Sequence, residues 1–158
     1  MNKLVKMMMM AGVAASLAGC KSESATDFKY TIDSFGDLKV MRYQIPGWEN
    51  LTLQQKEYAF HLAEAAKWGR DILWDQNCKE NLRVRHALEA ILRADGIDKQ
   101  TPEYQDFLVY AKRVFFSNGI HHHYAEDKIF PACSQEYFAQ LMAKAVVADE
   151  GLLDIIYN

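Results

Sequence analysis

The chain has 158 residues, 50% of them hydrophobic, 12% aromatic and 25% charged, with a formal net charge of −3. That composition suits one ordered domain and excludes a disordered acidic tail. It carries no basic excess for nucleic acid. No run of 18 or more apolar residues follows the first twenty, which excludes a polytopic membrane protein.

Residues 1–19 read as a removable signal. Lys3 and Lys6 form a charged start, and Met7 to Leu17 form an apolar core too short to span a bilayer. The segment ends Leu17-Ala18-Gly19-Cys20, which resembles a bacterial lipobox, with Cys20 as the lipidated residue. Acylation there would anchor the domain to a membrane, since several acyl chains hold far more firmly than one. The expected location is therefore the cell envelope, as a membrane-anchored lipoprotein. Residues 20–27 read as a polar tether. From Cys20 onward 16 basic residues face 21 acidic ones, for a net charge of −5.

Two short alternating runs surround Ser34-Phe35-Gly36-Asp37, and the second suits a strand that Pro46-Gly47 ends. A long helix is predicted from Leu53 to about Gln76. Thr52 is its N-cap and Gln55 completes a capping box. Its apolar face would be Ala59, Phe60, Ala63, Ala66, Ile72 and Leu73, with Gly69 as the weak point. A second helix spans about Asn81 to Ala94 and is stopped by a left-handed Gly96. A third starts at Thr101 and Pro102 and stops at Asn118-Gly119. Ser134 caps a fourth, whose stripe is Phe138, Leu141, Met142, Ala145 and Val146. The last apolar run, Leu152 to Tyr157, reads as surface that needs a covering partner. The predicted fold is mainly α, about four helices behind a short N-terminal β element.

Three places could carry chemistry. His121-His122-His123-Tyr124 lies between a helix end and an apolar segment. An extended chain would aim His121 and His123 the same way, toward a metal that Glu126 or Asp127 could also reach. The other reading is a polar loop whose histidines hydrogen-bond to backbone or substrate. The run Trp68 to Asn77 holds two Trp with Arg70, Asp71, Asp75, Gln76 and Asn77. It makes either surface ion pairs and packed rings or one wall of a cleft. Cys78 and Cys133 have no framework spacing and read as two separate thiols. No His-Glu-x-x-His, nucleophile elbow or phosphate loop occurs.

Longer strings carry a resemblance. Arg42-Tyr43-Gln44-Ile45-Pro46-Gly47, the run Trp68 to Gln76, and Phe116-Ser117-Asn118-Gly119-Ile120-His121-His122-His123-Tyr124 followed by Lys128-Ile129-Phe130-Pro131 resemble the N-terminal part of bacterial dipeptidyl peptidase III. That family consists of two-lobed zinc exopeptidases that release N-terminal dipeptides. The resemblance implies that residues 28–158 are part of the substrate-binding lobe. It also implies a loop along the interlobe cleft, with Asn118, His121, His123 and Tyr124 contacting a peptide. The family's His-Glu-x-x-Gly-His motif is absent from these 158 residues. Zinc is thus expected in the full-length family and not in this chain alone, which would lack catalysis and would need the missing C-terminal lobe as its partner. The alternative expectation is a non-catalytic, membrane-anchored helical lipoprotein that binds a peptide or protein partner. A small histidine-loop metalloprotein is a third.

Overall fold

The computed structural model describes residues 28–158; the signal, Cys20 and the tether lie outside the described residues. Strands β1 (Thr31–Phe35) and β2 (Leu38–Met41) form an antiparallel hairpin. Gly36 turns it at a φ of 56°, a conformation that glycine adopts at little steric cost. A 3-10 turn (Trp48–Asn50) follows, then α1 (Leu53–Lys67), α2 (Arg70–Asn77), α3 (Asn81–Arg93), α4 (Pro102–Ser117), α5 (Gln135–Lys144) and α6 (Leu152–Tyr157). The fold is mainly helical with a short β element, as the sequence pattern predicts.

The helix starts follow from side chains that take up free backbone N–H groups. Thr52 accepts from Gln55 N–H at 3.3 Å, and Gln55 Oε1 accepts from Thr52 N–H at 2.9 Å. Thr101 and Ser134 cap α4 and α5 in the same way, accepting from Tyr104 and Tyr137 N–H. Helix α4 ends in a left-handed Asn118, φ 53°. Gly119 N–H then reaches back to the Val114 carbonyl at 3.1 Å, which closes the helix with a six-residue loop.

Four expectations change. The long first helix is two helices. Trp68 and Gly69 donate to Ala65 and Ala66, three residues back, so the turn tightens there and α2 restarts at Arg70. The expected apolar face of α1 is uncovered: no residue of α1 is buried, and Phe60 is 59% exposed. Val146 is not on the α5 stripe. The helix ends at Lys144, and Val146 takes a φ of 56° and lies 90% exposed. The run from Leu152 is not open surface either, because Leu152 and Ile156 stand four apart on one face of α6 and are fully buried. Gly96 is left-handed as expected, φ 72°, but it follows the Ala94 cap by two residues.

The core lies around α3, which packs against α2, α4, α5 and α6. Its cluster runs from Trp74 to Ile156 and includes Leu88, Ile91, Phe107, Val114 and Phe138, all fully buried. Phe107, Tyr110 and Tyr157 set their rings against Phe138 at steep angles, the edge-to-face arrangement that aromatic quadrupoles favour. The hairpin is held to α4 from outside that core. Phe35 is buried against Phe116, Lys112 Nζ pairs with Asp33 at 2.7 Å, and Arg113 pairs with Asp37.

Candidate functional site

A cleft of about 480 Å³ opens where the end of α2, the start of α3, the end of α4 and the histidine loop meet. Asn77, Asn81, Ser117, His121, His122, His123 and Glu126 line it. A second hollow, about 570 Å³ and lined by Phe28, Tyr43, Ile45, Pro46 and Trp48, is larger but has fewer polar groups. Convergent polar groups in a concavity mark the first as the candidate site.

The loop is a folded hairpin. Ile129 N–H donates to the Ile120 carbonyl and His122 N–H to the Asp127 carbonyl, both at 2.8 Å. Ala125 N–H closes the tip on the His122 carbonyl at 3.2 Å. Tyr124 N–H donates to His122 Nδ1 at 3.3 Å, which places the proton of the neutral ring on Nε2. Lys128 at the loop's return strand donates to the Ile155 carbonyl and ties the loop to α6. The rings form a ladder on the surface: Phe116 to His123 at 5.3 Å, His123 to His122 at 4.6 Å, and His123 to Tyr124 at 4.2 Å.

The floor is polar and buried. Asn81 is 1% exposed and Ser117 5%. Asn81 Nδ2 donates to the Trp74 carbonyl at 3.0 Å, and its Oδ1 accepts from Ile120 N–H at 3.0 Å. A Cβ built on Gly119 would stand 2.9 Å from Asn81 Cγ, so only glycine lets the loop pass over that amide.

Of the four predicted contact residues, His121 and His123 line the cleft. Tyr124 stands at the loop tip, 89% exposed. Asn118 serves as the helix cap, and the lining passes through its neighbours Ser117 and Gly119. The Trp68–Asn77 run divides between its two readings. Asp71 pairs with Arg85 of α3 at 2.5 Å, Trp74 is buried, and Asn77 lines the cleft. Asn81 and Ser117 were missed. Both are short polar residues at helix ends, and nothing in the local pattern separates them from ordinary caps.

Among the described residues, no three His, Cys, Asp or Glu side chains are set to hold one metal ion. The His122 and His123 ring planes are tilted by only 32°. Cys78 and Cys133 are free thiols. The site therefore offers imidazole, amide and carboxylate groups suited to hydrogen bonding. Among the described residues, no helix is long and apolar enough to cross a membrane. No known family model matches the chain, and no curated protein matches it.

Proposed function

We propose that residues 28–158 are the peptide-contacting part of a dipeptidyl peptidase III-like zinc exopeptidase, anchored in the cell envelope through a lipidated Cys20. In this reading the histidine loop holds the substrate. Metal-assisted hydrolysis, which needs three protein ligands and a bound water, is supplied by a zinc-bearing lobe and not by these residues. The observation that supports it best is spatial. Two of the strings that carry the resemblance, Trp68 to Gln76 and Phe116 to Tyr124, are far apart in sequence, and the same cleft is bounded by Asn77, next to the first, and by Ser117 and His121 to His123 of the second. Its amide, imidazole and carboxylate groups match the alternating donors and acceptors of an extended peptide.

The test is a titration of the chain with short peptides, followed through the imidazole resonances of His121 and His123. A tetrapeptide with a free amino terminus should shift both, while His61 on α1 and His86 on α3 stay still. An N-acetylated peptide should bind at least tenfold more weakly, as release of N-terminal dipeptides requires. No shift at millimolar peptide would overturn the reading. The family assignment is checked separately by reading the DNA beyond the Asn158 codon, where no His-Glu-x-x-Gly-His sequence in any frame would count against it.

The second reading, a non-catalytic lipoprotein that binds a peptide or protein partner, draws support from the exposed apolar side chains of α1 and α2. Leu53, Tyr58, Phe60, Ile72 and Leu73 are each more than half exposed. It predicts peptide binding that is indifferent to amino-terminal acetylation.

A further inference from the structure

We infer that Asn81 is the positioning residue of the histidine loop: its buried carboxamide sets the loop's base against the end of α2 and so fixes where the imidazoles stand in the cleft. The inference rests on the reading of that loop as the peptide-contacting element.

The carboxamide has a donor and an acceptor, and each is used across a different junction. The donor takes the Trp74 carbonyl in the last turn of α2. The acceptor takes the N–H of Ile120, a residue 39 positions away. Ile120 is also the base of the loop hairpin, since its own carbonyl accepts from Ile129 N–H. One side chain thereby joins α2, α3 and both strands of the loop. At 1% exposure no solvent is at hand to replace either bond. A buried donor or acceptor left unpaired is costly, so the loop base has one low-energy position. Gly119 completes the lock, because any side chain there would collide with the amide. The loop beyond this base is held less firmly: His122, His123 and Tyr124 are exposed, their rings meet one another, and the hydrogen bonds of His122 and Tyr124 stay within the loop. A positioning group at the base matters most for such a loop, since a contact site that is loosely supported loses its geometry first.

Hydrogen exchange in the unaltered chain gives the first test. Ile120 lies outside any helix, yet its amide should exchange as slowly as that of Val114 in the α4 core. Exchange at the rate of an open loop would overturn the inference. Substitutions give the second. Asn81→Leu keeps the size but removes both bonds, and Gly119→Ala presses on the amide from the other side. Each should speed exchange at Ile120 and Ile129 at least tenfold and displace the His121 and His123 imidazole resonances, with His61 and His86 unmoved. Asn81→Asp supplies a rescue. Its neutral carboxyl group can donate and accept as the amide does, so at low pH the imidazole resonances should match those of the unsubstituted chain at the same pH, and they should diverge as the carboxylate forms. Unchanged imidazole resonances in the two substituted chains, or no recovery in Asn81→Asp at low pH, would show that Asn81 does not position the loop. These readouts need no peptide. They stand if peptide binding fails, and peptide binding by all three variants at unchanged affinity would remove the inference alone.

Discussion

At the scale of single residues, a partly buried tyrosine and a fully buried one separate a satisfied hydroxyl from an orphaned one. Tyr157 donates to the Cys133 and Ser134 carbonyls, each at 3.0 Å. Tyr110 is 1% exposed, and its hydroxyl has no partner among the described residues. Removing an unpaired buried hydroxyl recovers its desolvation cost, whereas removing a paired one strands its acceptors. Tyr110→Phe should therefore leave the urea midpoint unchanged or raise it, and Tyr157→Phe should cost about 0.5–1.5 kcal/mol. A larger loss in Tyr110→Phe would mean its hydroxyl has a partner in solution. Burial also pushes both phenols above their ordinary range. The sign follows from linkage. The unfolded chain releases these protons near pH 10 while the folded chain keeps them, so their contribution is intact below about pH 10 and is lost as pH rises. Urea midpoints should fall steeply above that pH, and less steeply in Tyr157→Phe.

At the scale of elements, the question is which helices have partners. Phe107 on α4 is fully buried, and Phe60 on α1 is 59% exposed. Phe107→Ala should cost about 3–5 kcal/mol through lost transfer energy and the cavity left behind. Phe60→Ala should stay within about 0.5 kcal/mol, and chemical denaturation measures both. A large loss at Phe60 would place α1 against a covered face. The capping signals were legible in the sequence because a cap is local chemistry: Thr52 with Gln55, Thr101 with Tyr104, and Ser134 with Tyr137 each bond within three residues. Two things were not legible. Apolar spacing says which face of a helix could be buried and not whether anything covers it, so α1 reads like α4 although only α4 is packed. The cleft depends on a bond between Asn81 and Ile120, and no local pattern reveals which distant amide a polar side chain will meet. The loop histidines themselves were legible, because three adjacent imidazoles are uncommon in any environment.

At the scale of the whole molecule, stability is distributed unevenly along the chain. Every member of the central hydrophobic cluster lies between Trp74 and Ile156. Before Trp74, the one buried residue among those described is Phe35. The hairpin meets α4 through that ring and through the Lys112–Asp33 and Arg113–Asp37 pairs, whose carboxylates are largely open to water. Exposed pairs of this kind contribute little to stability, and salt screens them. Burial of apolar area is the dominant favourable term in folding, so residues 70–158 should fold without the segment before them. A chain beginning at Arg70 should melt in one cooperative transition within a few degrees of the longer chain, and it should keep slow exchange at Val114 and Ile120. The histidine loop should persist with it, since the groups that hold the loop, Asn81, Trp74 and the Ile155 carbonyl, all lie within that part. Loss of the cooperative transition, or dye binding that marks a molten state, would mean that the hairpin and α1 support the core far more than their exposure indicates. Retention would place the cleft and its supports in one folding unit, with residues 28–69 as an appended face.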